Sequence, residues 1–288
     1  MTDMTAAVRR DRAVVVIAIA LLTLLAWVYL LHLAGQMSSP EMMRTSDAGT
    51  VGSMSIPAGM GAMAGMPMGH DLAAAVEPGF RPWGFTGVAL VFLMWAVMMI
   101  GMMLPSVIPM VLLYAAIGRR TADGRRTLAA TGWFVCGYLS IWVLFSLAAT
   151  AGQWTLTKLA LLTPMMATAS SVLGGMLLIA AGLYQWSPPK RACLRHCQTP
   201  LDFLMRCGGF RPGPLGAVSL GARHGRHCVG CCALLMTLLF VGGVMNLVWI
   251  AGLSFLVLLE KVSTHVLVTH VIGALMVGGG VFLLVCPR

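Results

Sequence analysis

Charge is what this sequence has least of. Acidic and basic residues together make up 10% of its 288 residues, while 59% are hydrophobic; a soluble domain usually carries about 25% charged residues. So few polar side chains cannot wet the surface of a water-soluble globule, and lipid has to solvate much of the chain. Also missing are a G-x-x-x-x-G-K-[ST] loop and an Asp-Lys-Thr-Gly phosphorylation sequence, which excludes the usual routes to ATP-driven pumping. No catalytic constellation stands out, so an enzyme is not expected. Cysteine is absent from the stretch 34–82 although the chain has eight. A disulfide-stapled exterior would show the opposite distribution.

The apolar residues form six runs, at about 13–33, 84–117, 128–150, 170–186, 230–259 and 266–285. A helix needs roughly 20 apolar residues to cross the hydrocarbon core, and each run is near that length or longer. The expected fold is therefore all-α, a polytopic membrane bundle of about six transmembrane helices. The second and fifth runs exceed one crossing, and Pro105 and Pro109 are expected kink points in the second. Residues 1–33 read as a short tail and a retained first helix, because the apolar stretch exceeds the roughly 7–15 residues of a signal-peptide core. Residues 34–82 read as a Met- and Gly-rich extracytoplasmic loop without structure of its own, and 83–288 as a five-helix bundle interrupted by a Cys/His-rich cytoplasmic loop at 187–229.

With the N-terminus inside, 15 of the 19 basic residues fall on the inner side, and only Arg44, Arg81, Lys158 and Lys261 lie outside. Lys and Arg in short loops mark the cytoplasmic face, so both termini are expected there, in a bacterial inner membrane. This orientation accounts for most of the formal charge of +10. The charges are spread over short loops rather than one groove, which excludes a nucleic-acid partner. In this topology Glu260, Lys261 and His265 sit toward the outer end.

Six of the eight cysteines lie between Cys193 and Cys232. In His224-Gly-Arg-His227-Cys228-Val-Gly-Cys231-Cys232, the positions His224, His227, Cys228 and Cys231 are i, i+3, i+4 and i+7, one face of a helix. Cys193 and Cys197 are i and i+4, with His196 beside them. Thiolate and imidazole select zinc, copper(I) or an iron–sulfur cluster over magnesium or calcium. The expected metal ligands are Cys193, Cys197, His224, His227, Cys228, Cys231 and Cys232. Thiol redox work and plain packing are the competing readings of the cluster, and a structural zinc knot can also be built from such spacings. Isolated Cys136 and Cys286 carry no such signal.

Methionine is abundant, at 23 residues, and eight of these fall in 34–82. The group Met60, Met63, Met66, Met68 and His70 is a candidate outer metal site, since a thioether binds copper(I) and remains available in an oxidising compartment. Met94, Met98 and Met102 follow at i, i+4 and i+8, a stripe that packing explains as readily as metal passage. Met236, Glu260 and His265 complete the secondary candidates, ionisable groups near lipid being costly to keep without a use.

These residues also carry a resemblance. The run Met94-Trp95-Ala-Val-Met98-Met99-Ile-Gly-Met102-Met103-Leu-Pro105-Ser106 resembles the hallmark of a bacterial family of predicted metal-binding integral membrane proteins. So do Lys190-x-x-Cys193-Leu194-x-x-Cys197-x-x-Pro200, His224-Gly225-x-x-Cys228-x-Gly230-Cys231-Cys232-x-x-x-Met236 and Glu260-Lys261. The similarity covers about 83–286, and Ala233 stands where the family usually has tryptophan. The resemblance implies a helical membrane bundle that binds a metal, with copper delivery to copper enzymes such as tyrosinases as its proposed role. The expected function is therefore Cu(I) binding, delivery or translocation, with a copper enzyme or soluble copper carrier as partner. A thiol redox protein, or a structural or assembly subunit holding zinc, is the alternative; neither direction of transfer nor oligomeric state is legible.

Overall fold

The computed structural model describes residues 2–37, 84–121, 124–162, 167, 168, 170–211, 213–263 and 265–286. The candidate ligands Met60, Met63, Met66, Met68 and His70 lie outside the described residues. What is described is helical apart from an isolated antiparallel bridge between Leu162 and Thr168. In chain order the helices are α1 (Thr2–Met37), α2 (Phe85–Thr121), α3 (Gly124–Lys158), α4 (Ser171–Gln185) and α5 (Pro188–Gln198). Then come α6 (Pro200–Arg206), α7 (Pro214–Thr237), α8 (Leu239–Gly242), α9 (Leu247–Val262) and α10 (Val266–Val285).

Five segments are long and apolar enough to cross a membrane: Arg12–Gly35, Phe85–Arg119, Thr127–Lys158, Pro214–Gly242 and Val266–Val285. About six were expected. The difference arises in two places. The fourth apolar run forms α4, which at 15 residues is only ~22 Å long and short of the ~30 Å hydrocarbon core. The fifth run is not one helix. Gly243 adopts φ +91 and ends α8, a backbone conformation that glycine reaches without steric cost. Asn246 then caps α9 by accepting the Trp249 N–H at 3.2 Å. The break lets α9 fold back along α7. It brings Lys261 level with Cys228, so the expected outer-end position of Glu260 and Lys261, opposite the thiols, is corrected. Most of 187–229, expected as a loop, is helical in α5, α6 and the first two-thirds of α7. The expected proline kinks leave α2 a single helix, with Pro105 and Pro109 both inside it.

Glycine decides how the helices meet. On α7, a Cβ at Gly221 would run into the carbonyl oxygen of Phe134 on α3, and one at Gly225 would lie 3.1 Å from the carbonyl oxygen of Tyr138. From the α3 side, Gly137 meets the Val218 carbonyl in the same way. The two backbones therefore touch. α4 and α10 meet similarly through Gly175 and Gly182 against Gly280 and Gly273. Small residues that admit close backbone approach are the usual device where lipid removes a hydrophobic drive between helices.

Inside the bundle lie Met94, Trp95, Met98, Met99, Met102 and Met103 of α2, all buried with Tyr138, Trp142 and Met236. Trp95 donates to Gln153 Oε1 at 2.7 Å and so ties α2 to α3. α1 contributes little more than Val15, Ile19, Ala26 and Leu30 to the core, leaving Ile17, Leu24 and Leu25 more than half exposed. Such an apolar surface suits lipid and not water.

Candidate metal centre

α7 presents two different faces to its neighbours. Toward α3 run Gly221, Gly225, Cys228 and Cys232, at i, i+4, i+7 and i+11. Toward α5 lie His227 and Gly230. Gly230 leaves room for Cys193, whose Sγ would stand 2.8 Å from a Cβ added there, while the Gly230 carbonyl accepts from Tyr184 Oη at 2.5 Å. α5 itself starts with proline at its first turn and with Ser187 capping the Lys190 N–H. That start fixes the phase in which Cys193 and Cys197 reach α7.

The thiols converge on Cys228. Its Sγ meets the phenol of Tyr138 at 3.1 Å and the ammonium of Lys261 at 2.8 Å, and the thiols of Cys197, Cys231 and Cys232 lie around it. Cys231 and Cys232 also direct Sγ to the Cys228 carbonyl, at 3.1 and 2.9 Å. Cys228, Cys231 and Cys232 are buried, and Cys193 and Cys197 are half-buried; all are free thiols. Hydrogen bonding with Cys228 and Cys231, together with burial, holds the Cys197 thiol well above the usual cysteine range. Burial and the nearby Cys231 likewise push Cys193 up. Proton release therefore accompanies any metal that these two sulfurs bind as thiolates.

The expected set of seven ligands divides in two. Cys193, Cys197, Cys228, Cys231 and Cys232 form a nest of sulfur. The imidazoles collect around Phe203 of α6 instead. His227 stacks with His196 at 4.3 Å between ring centroids, and Phe203 meets both edge-on. His224 packs among Phe134, Tyr138 and Phe203. Nδ1 of His196 and of His224 has no hydrogen-bond partner among the described residues. Also among the described residues, no three His, Cys, Asp or Glu side chains already converge as metal ligands. The nest is held closed by hydrogen bonds among its own thiols and carbonyls, and an entering ion has to replace them.

Of the secondary candidates, Met94, Met98, Met102 and Met236 are buried in the core. The stripe 94, 98, 102 continues one turn further to Ser106, whose Oγ receives a hydrogen bond from Lys261 at 2.8 Å. The sulfur stripe of α2 thus leads through Ser106 and Lys261 to Cys228, over a rise of ~18 Å. The backbone carbonyl of Met103, beside it, accepts from Tyr138 Oη at 3.3 Å. Glu260 is committed elsewhere: its Oε2 pairs with Lys190 Nζ at 2.7 Å in a buried ion pair, and Lys190 also bonds Gln185. His265 is exposed at the start of α10.

A family profile described as PpoB2, copper chaperone, matches residues 92–283. The chain belongs to this copper chaperone family. The matched span holds every thiol of the nest, the imidazole group and the α2 stripe from Met94 onward. No curated protein and no solved structure shows significant similarity to the chain. Membership points to copper handling, and the sulfur-rich interior is the donor set that copper(I) prefers.

Sequence reasoning missed Tyr138, named Ser106 and Lys261 only within the motifs of the resemblance, and noted His196 beside Cys193 and Cys197 without counting it among the ligands. Lys190 and Lys261 were counted as orientation charges, yet both are buried in specific contacts. A signal was present for Lys261. It follows Glu260 at the end of an apolar helix, and a buried cation needs a partner.

Proposed function

We propose that this member of the copper chaperone family works within the bacterial inner membrane, with its N-terminus on the cytoplasmic side. It receives Cu(I) on one face and holds it in the thiol nest for a copper enzyme or a soluble copper carrier. Outer capture falls to Met60, Met63, Met66, Met68 and His70, passage to Met94, Met98 and Met102, and retention to Cys193, Cys197, Cys228, Cys231 and Cys232. His224 and His227, with His196, flank the nest as a transfer station. Met236, buried on α7 one turn beyond Cys232, lines the passage. Glu260 serves the framework through Lys190, and His265 is left as an interfacial residue.

The observation that carries this reading is the meeting of two sulfur systems at one point. The methionine stripe of α2 ends at Ser106, and Ser106 and Cys228 share the same Lys261 ammonium. Thioethers bind Cu(I) weakly and thiolates bind it tightly, so a stripe of the first leading to a nest of the second gives a downhill path into the nest. Onward release then depends on a partner with competing thiolates. Ligand exchange alone drives the transfer, in keeping with the missing nucleotide-binding motif.

Metal analysis of the detergent-purified protein tests this. About one Cu(I) per chain is expected, lost in a C228S/C231S/C232S variant. Tight zinc in that position with no copper would favour a structural zinc knot. A metal-free protein that forms reversible disulfides would favour a thiol redox role. Either result would end the copper reading.

A further inference from the structure

Lys261 is the one cation in contact with the sulfur nest among the described residues. Its Nζ is 2.8 Å from Cys228 Sγ and 2.8 Å from Ser106 Oγ, and the side chain is buried. Tyr138 approaches the same sulfur from α3. The adjacent carboxylate of Glu260 is taken by Lys190 on α5, and Lys261 makes no carboxylate ion pair among the described residues. An ammonium buried without a carboxylate has to find its counter-charge elsewhere, and here the sulfur is the remaining acceptor besides the Ser106 hydroxyl. The positive charge is therefore fixed at the place where a metal ion would bind.

We propose that Lys261 sets the charge selectivity of the thiol nest, admitting a monovalent soft ion and rejecting a divalent one. Repulsion from a fixed ammonium scales with the charge of the incoming ion, so it opposes Zn(II) twice as strongly as Cu(I) at equal distance. Thiolates alone give no such discrimination, because they bind both metals well. The lysine acts through its charge at the edge of the nest and not as a ligand, since an ammonium has no lone pair to offer. Lys190 cannot substitute for it, its charge being offset by Glu260 at 2.7 Å.

This inference rests on the copper reading above, and the test separates the two. Full-length protein in detergent is equilibrated with equimolar Cu(I) and Zn(II), passed over a desalting column and analysed for both metals. Wild type is expected to retain copper over zinc. In K261M the copper-to-zinc ratio should fall by about tenfold or more, and K261R, which keeps the charge, should stay close to wild type. A lysine with only a packing role would give no such rescue by arginine. If K261M retains the wild-type ratio, the selectivity role is overturned while the copper reading stands; a wild type that binds no copper at these thiols overturns both.

K261Q repeats the measurement with a polar neutral side chain should K261M fail to fold. An independent readout uses wild type alone. Cu(I) should protect the half-buried Cys193 and Cys197 from maleimide and equimolar Zn(II) should not. Equal protection by the two ions would also overturn the proposal.

Discussion

The two faces of α7 are built on opposite principles. Toward α3 the glycines bring backbone onto backbone, with Gly221 against the Phe134 carbonyl and Gly225 against the Tyr138 carbonyl. Toward α5 it is made of side chains: Cys193 over Gly230, His227 on His196, and Cys197 beside Cys231. A backbone contact has one geometry and cannot be repacked. A contact made of thiols and imidazoles can rearrange around an ion. In the proposed reading, the α3 side is the fixed wall of the site and the α5 side the wall able to adjust to a metal.

The largest effect should come from breaking the fixed wall. Gly221→Leu forces a side chain into the Phe134 carbonyl, for which no rotamer offers relief. We expect a loss above ~3 kcal/mol and little folded protein in size-exclusion chromatography. The matching change on the adjustable wall, Gly230→Ala, meets only the Cys193 sulfur at 2.8 Å, which can swing aside. It should cost no more than ~1.5 kcal/mol in thermal unfolding of the detergent-purified protein. Equal damage from the two would break the comparison.

Next in size is the ion pair that anchors α5 to α9. Lys190 and Glu260 are both buried at 2.7 Å, so Glu260→Gln leaves an uncompensated ammonium and should destabilise by ~3–5 kcal/mol. Replacing both with apolar residues, K190M/E260M, should recover much of that loss, because neither charge is then stranded. A smaller effect is expected from Tyr138→Phe, which removes the phenol between Cys228 and Met103, at ~1 kcal/mol. The exposed pair Arg206–Asp202 on α6 gives the scale's lower end. Arg206→Ala should change stability by under ~0.5 kcal/mol.

Much of the fold was legible because long apolar runs obey a simple length rule. The runs at 13–33, 84–117, 128–150 and 266–285 all became long apolar helices. The rule failed where one residue changed the topology. Gly243 sits in the apolar run 230–259 and looks like any other small membrane residue, yet its positive φ turns the chain and returns Lys261 to the level of Cys228. Hydropathy cannot register a turn made inside an apolar run.

The site was legible in the same partial way. Helical periodicity set Cys228 and Cys231 one turn apart and Cys193 and Cys197 at i and i+4, without saying which helix the second pair faces. It could not separate sulfur from imidazole, because the division depends on Phe203, which comes from α6 and draws the histidines to itself. Nor could it recognise Ser106 as the next step of the methionine stripe, since a serine one turn beyond three methionines has meaning only once Lys261 is seen to touch it.

The central claim is that sulfur around Cys228, and not the neighbouring imidazole group, holds the copper. X-ray absorption at the copper edge on the full-length protein loaded with one Cu(I) tests it most directly. A copper shell of sulfur alone, abolished in C228S/C231S/C232S and unchanged in H196A/H227A, is the predicted result. A shell containing nitrogen that disappears with the histidines and survives loss of the three cysteines would contradict it.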